Sequence, residues 1–222
     1  MSKLCSNYFS SNGTWTCPAG VTKVYVLAHG GGAGGSGGRN TTAGVSDPGT
    51  GTVPQLVALT VVPNTSYSII IGTGGTGGAP RTSSTQNGSA GNNTLFGALY
   101  TFRGAVLPSS TYSFSNPFPG LVLAAANRVA STNGEFKTSG MVSNSGTSGT
   151  RSGSYLEGYR GADGYFGSVA GSGGNSNNAG TGANGTNASG FGAGGGSGGG
   201  GSTAGGSGGN GAPGQLWVIW VE

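Results

Sequence analysis

W-T-C-P-A-G-V-T-K-V-Y-V-L-A-H, residues 15–29, runs without a break into G-G-G-A-G-G-S-G-G-R, residues 30–39. An apolar segment of strand length thus passes directly into Gly-Gly-X triplets. The junction recurs at 66–79, where S-Y-S-I-I-I meets G-T-G-G-T-G-G-A, and it is inverted at 212–222, A-P-G-Q-L-W-V-I-W-V-E. The expectation from these three junctions is a small β core whose faces or ends are covered by extended glycine segments.

Composition alone would argue for disorder, since only 33% of the 222 residues are hydrophobic and 52 are glycine. The apolar residues are nevertheless gathered into short blocks, as a small ordered core requires. Glycine loses more backbone entropy on ordering than any other residue, so ordered tracts on this scale need dense main-chain hydrogen bonding. A period of three with small third residues suits the left-handed extended helix, which has three residues per turn and no internal hydrogen bonds. Several such tracts should therefore lie side by side. In 192–214 glycine recurs at 192, 195, 198 and 201, then in a new phase at 205, 208, 211 and 214. Flexible linkers keep no such register.

Around these tracts the periodicity predicts strands at 21–28, 55–61, 66–71, 94–103 and 215–221, the first buried on both faces. The Val62-Pro63-Asn64-Thr65 run is a hairpin signal between the second and third. Residues 1–19 read as turn-rich, and 121–130 as the only possible helical turn. The fold class expected is all-β: a compact sandwich of about six to eight short strands with polyglycine-II-like tracts packed against one another. The chain reads as one glycine-rich domain over 1–222. Its core strands fall in 1–104 and 215–222, with an insertion-like segment at 105–170 and a glycine tract at 171–214.

The nine Lys and Arg residues that produce the net charge of +4 are scattered singly, which argues against nucleic acid as a partner. No apolar run is long enough for a membrane-spanning helix, so no membrane insertion is expected. No apolar h-region of a secretion signal follows residues 1–7, so the expectation is either release by another route such as lysis or a Met1 that is not the native start. Cys5 and Cys17 are disulfide candidates if the protein works outside the cytosol; two free thiols are the alternative.

Catalytic chemistry is poorly supplied. Gly30-x-Gly32-x-x-Gly35 formally matches a dinucleotide fingerprint, but more glycine follows where a helix must begin, so no cofactor is expected. His29 is the only histidine and reads as structural. With one His and two Cys, no metal site is expected. Glu157 and Asp163 have the residue types of a glycosidase pair, a combination common by chance. Catalytic residues are therefore expected to be absent.

The binding candidate is R-S-G-S-Y-L-E-G-Y-R-G-A-D-G-Y-F, residues 151–166. Tyr155, Tyr159, Tyr165 and Phe166 offer flat aromatic faces, while Arg151, Glu157, Arg160 and Asp163 offer planar polar groups. Sugars have apolar faces rimmed by hydroxyls and are met by this combination. Tyrosine with small residues also favours protein contact, because Tyr supplies area at small entropic cost. The alternative is that these rings fill a second small core.

The ordered series W-T-C-P-A-G-V-T-K-V-Y-V, L-T-V-V-P-N-T-S-Y-S-I-I-I-G-T-G-G, N-G-S-A-G-N-N-T-L-F-G and G-N-G-A-P-G-Q-L-W-V-I-W resembles the glycine-rich domain at the ends of phage tail fibres. The resemblance covers about 1–105 and 171–222 and departs from the pattern at 105–170. It implies a β-sandwich with glycine helices and a non-enzymatic, adhesin-type role in attachment. The expected partner is a bacterial surface glycan or outer-membrane protein, and the expected location extracellular or virion-associated. A homo-oligomer, trimer or filament, is expected. The alternative is a purely structural, self-assembling subunit.

Overall fold

The computed structural model describes residues 2–40, 46–80, 86–107 and 158–222. The helical turn expected at 121–130 lies outside these residues, as do Arg151, Tyr155 and Glu157. The described chain is all-β, with two four-stranded antiparallel sheets in a sandwich-like arrangement. The first sheet has the order β1 (Leu4–Phe9), β8 (Gln215–Val221), β3 (Lys23–His29), β4 (Gln55–Thr60). The second has the order β2 (Gly13–Thr16), β5 (Ser66–Ile70), β6 (Thr94–Phe96), β7 (Tyr100–Phe102).

Strand alternation builds the core between the sheets. Val24, Val26 and Ala28 of β3 and Leu216, Val218 and Trp220 of β8 are buried from one side. Trp15, Ile69, Phe96 and Phe102 come from the other, and Trp15 sits 5.6 Å from Trp220, centroid to centroid. The opposite face of β3 is not covered along its length, since Tyr25 is exposed. The expectation of burial on both faces is thus corrected: the apolar run marks two apolar faces, of which the sandwich covers one. Residues 94–103 form a hairpin rather than one strand, because Gly97 turns the chain with a positive φ of 50°. Strands β1 and β2 are additions to the sequence reading. Neither shows strand alternation of its own, and each takes its geometry from pairing, β1 with β8 and β2 with β5.

Beyond the sandwich the strands continue as glycine segments, and their hydrogen bonds repeat every third residue. In 31–39, the amides of Gly31, Gly34 and Gly37 donate to Asn92, Ser89 and Gln86. Those of Gly32, Gly35 and Gly38 donate to Ala212, Gly209 and Gly206, and those of Ala33 and Ser36 to Thr50 and Asp47. The carbonyls accept from 75 and 78, from 195, 198 and 201, and from 105. The tract 192–201 is surrounded in the same way by 33–39, 159–162, 171–177, 183–186, 206–212 and 49–52.

This connectivity defines three stacked rows. One holds 72–79, 204–214 and 181–188; the middle one 86–92, 31–39, 192–201 and 170–177; the third 103–106, 47–52 and 158–164. The two tracts with neighbours on every side, 31–38 and 192–201, are buried throughout. Their backbone groups are paired with other backbone, as burial demands. Where a segment lies on the surface, side chains take over the third register: Asn184 Oδ1 accepts from Ser207 N and Asn187 Oδ1 from Asn210 N, both at 2.8 Å.

Candidate functional site

Residues 158–164, the described part of the aromatic and charged stretch, form one glycine segment at the margin of the third row. Tyr159 is held there by a two-way exchange with the 192–201 tract. Ser197 N donates to Tyr159 O at 2.9 Å, and Tyr159 N donates to Ser197 Oγ at 2.7 Å. Its ring position is half-buried. Arg160 and Asp163 are three residues apart, one turn at this periodicity, and form an ion pair. Asp163 Oδ1 also accepts from Ala170 N at 2.9 Å, so the carboxylate ties this segment to the next one.

The segment ends in a tight turn at 165–168. Phe166 and Gly167 have positive φ values of 58° and 79°, and Ser168 N donates back to Tyr165 O at 3.3 Å. The turn sets the ring of Phe166 5.4 Å from Trp217. Trp217 in turn lies 4.7 Å from Tyr8, and Tyr8 meets Phe191 edge-on at 6.4 Å. Four rings thus lock the turns 165–168 and 189–191 to the outer face of β1 and β8. The sequence sets Trp217 opposite Leu216, Val218 and Trp220 on the last strand, and the structure makes that face the outer one. The partners of Trp217, Tyr8 and Phe166, lie more than 50 residues away in sequence from it, and no local signal joins them.

The eight predicted binding residues therefore divide. Tyr159, Arg160 and Asp163 share one segment, while Tyr165 and Phe166 stand at its sandwich end, six and seven residues beyond Tyr159. Tyr165 and Phe166 are exposed, with Phe166 60% accessible despite its contact with Trp217. Arg151, Tyr155 and Glu157 lie outside the described residues.

His29 stands at the joint between sandwich and glycine segments, 1% exposed. Its Nδ1 lies 3.1 Å from Gly30 O and 3.2 Å from Thr52 Oγ1. Burial lowers its pKa, and the hydrogen bond with the Gly30 carbonyl opposes that only in part. Its cross-strand neighbour Gln215 is equally buried and accepts at Oε1 from the Tyr8 hydroxyl at 3.2 Å. His29 Nε2 and Gln215 Nε2 have no protein partner. With no carboxylate or thiol of the described residues bonded to it, His29 has the surroundings of a structural residue rather than of a general base.

Cys5 and Cys17 are free thiols in this structure. Cys17 Sγ donates to Val21 O at 3.2 Å, and burial raises its pKa. Among the described residues no group of three or more His, Cys, Asp or Glu could hold a metal ion. The fingerprint-like glycines 30, 32 and 35 enter an extended tract, where the amides of Gly32 and Gly35 donate to the carbonyls of Ala212 and Gly209 rather than facing a phosphate site. Among the described residues no helix is long and apolar enough to cross a membrane.

The sequence model of the glycine-rich domain family matches residues 8–221, nearly the whole chain. No curated protein matches the sequence.

Proposed function

The chain belongs to the glycine-rich domain family, and on that premise we propose that it is a fibre-tip or adhesin-type domain recognising a bacterial surface glycan or outer-membrane protein. Its place is extracellular or virion-borne, at the end of a fibre. The observation that carries this reading is the polarity of the body. Strands close one end, while the turns 177–181 and 201–204 lie at the other. Asn40, Ser46, Pro80, Gln86 and Gly158, which flank the remaining connections, stand at that same far end.

The period-three exchange of amides and carbonyls supports reading the tracts as polyglycine-II-like helices. Such a body gives its far end a fixed frame without side-chain packing, and recognition commonly resides in loops carried by a rigid scaffold. The contact residues are Tyr159, Arg160 and Asp163 with Arg151, Tyr155 and Glu157 before them in the same stretch. Phe166, at the sandwich end, serves the joint with Trp217.

Adsorption of the fluorescently labelled chain to a panel of bacterial strains tests the reading, with protease-treated and polysaccharide-stripped cells separating protein from glycan receptors. Saturable adsorption to a subset of strains is expected. Tyr155→Ala with Tyr159→Ala should abolish it at an unchanged far-UV spectrum. Undiminished adsorption by that variant would remove the stretch from the contact, and no saturable adsorption to any strain would reject the function.

A further inference from the structure

Two Asn-Gly sequences lie in the row of the glycine body that holds 72–79, 204–214 and 181–188: Asn184-Gly185 and Asn210-Gly211. Both asparagines are exposed among the described residues. Asn-Gly is the sequence in which a side-chain amide is lost most readily, because glycine has no Cβ to hinder ring closure. The glycine nitrogen attacks the asparagine Cγ, the new N–C bond closes a cyclic imide, and ammonia leaves with the amide proton passed through solvent. Water then opens the imide at either carbonyl, giving aspartate or its isomer with the main chain routed through Cβ. Water is the only co-reactant.

In the fold both groups that this reaction needs are engaged. Asn184 Oδ1 accepts from Ser207 N at 2.8 Å, while Gly185 N donates to Ser207 O at 2.8 Å. Side chain and following amide thus clamp the N–H and C=O of one residue. Asn210 is held across the neighbouring tract: its Oδ1 accepts from Gly77 N at 2.8 Å, and Gly211 N donates to Gly75 O at 2.9 Å. Asn187-Ala188 clamps Asn210 in the same manner, through Asn187 Oδ1 and Ala188 N, both at 2.8 Å. Ring closure requires the glycine nitrogen to lose its proton and turn onto Cγ, so both bonds of a clamp must break first.

We propose that Asn184 and Asn210 are deamidation sites held closed by these clamps, converting only from chains in which their row has opened. The hydrogen bonds that complete the edge of the glycine body thereby also protect its most labile side chains. Conversion is irreversible. The isoaspartyl product adds an atom to the main chain and so ends the every-third-residue register of the row. Each event also adds one negative charge, so that the net charge of +4 becomes +2 when both sites have reacted. The proposal goes beyond receptor recognition and does not depend on it.

Peptide mapping of the full chain during incubation at mildly alkaline pH tests this. Asn184 and Asn210 should convert at least about tenfold more slowly in the native chain than in the same chain unfolded in urea. In urea Asn187, which precedes alanine, should lag behind both. Below the unfolding transition, conversion should rise with urea in step with exchange of the Gly185 and Gly211 amides. Ser207→Pro deletes the N–H that holds Asn184 Oδ1, in a tract that already carries Pro213. At an unchanged far-UV spectrum it should speed conversion at Asn184 several-fold and leave Asn210 as it was. Equal rates in native and unfolded chains would overturn the proposal, and so would a folded Ser207→Pro variant in which Asn184 reacts no faster. If that variant does not fold, the ratio of native to unfolded rates decides by itself.

Discussion

The carbonyl oxygen of Gly196 occupies the place that a side chain on Gly35 would fill: a Cβ built on Gly35 lies 2.2 Å from it. The two residues sit in the two enclosed tracts, where backbone packs directly on backbone. Gly196 is itself hemmed in, with Ser172 O 1.9 Å from its own would-be Cβ. Neither obstacle is the end of a flexible side chain, so neither can swing aside.

Gly196→Ala is accordingly expected to destabilise the chain by about 3 kcal/mol or more, since overpacking against main chain forces whole segments apart. Ser172→Ala, at an exposed position of the neighbouring segment, should cost under about 0.5 kcal/mol. Urea titration of the two variants beside the parent chain checks the contrast.

Amide exchange gives the complementary measurement. Amides of 31–38 and 192–201 bond to neighbouring backbone from inside the bundle and should exchange only through large-scale opening. The exposed connections 177–181 should exchange within seconds to minutes. Equal, fast exchange in both would show that the glycine body does not hold together as a unit.

Acid should loosen the joint between the two halves. Because burial depresses the folded-state pKa of His29, the unfolded chain takes up its proton at higher pH than the folded chain does. The stability of the neutral ring is fully present above the ordinary value of about 6.5. It is lost as pH falls from there toward the folded value, at about 1.4 kcal/mol per pH unit. Among the described residues no carboxylate bonds to the ring to reverse the sign; Gly30 O and Thr52 Oγ1 are its polar neighbours. Thermal midpoints at pH 7.5 and 5.5 should therefore differ more for the parent chain than for His29→Gln.

The ion pair on the 158–164 segment separates charge from architecture. Arg160→Ala should cost under about 1 kcal/mol, because both side chains are about one-third exposed and the pair is screened. Asp163→Ala should cost more, about 1–2 kcal/mol, since Ala170 N–H also loses its acceptor. Chemical denaturation of the single variants and of Asp163→Asn checks the order.

The two thiols should differ in reactivity. Cys17 is 1% exposed with its pKa raised by burial, so a thiol reagent should reach it only after denaturant is added. Cys5, on the edge strand and partly exposed, should react in the native protein.

Two strong local signals made much of the architecture legible. Alternation in 24–28 and 216–220 sorted the side chains of β3 and β8 into two faces, because a strand's side chains must point alternately whatever it pairs with; it did not say which face the sandwich covers. The Gly-Gly-X period marked the segments that pack without side chains. The phase change falls between Gly201 and Gly205, at the turn 201–204 where the enclosed tract 192–201 gives way to the outer segment 205–214. Strands β1 and β2 were not legible: N-Y-F after L-C-S and the four residues G-T-W-T have no periodicity of their own. The candidate stretch 151–166 was visible as composition, but composition could not separate Tyr159 from Tyr165 by the length of a glycine segment.

Taken alone, the sequence determined which residues could be strand, which faces were apolar, and that every third position in the tracts had to stay small. Those are local consequences of side-chain alternation and of the missing Cβ. Tertiary structure alone decided which tract lies beside which, that 31–38 and 192–201 became the enclosed pair, and that Phe166 and Phe191 reached Trp217 and Tyr8. A glycine segment offers the same amide and carbonyl to any neighbour, so its partners are selected by where the strands at its end are already anchored.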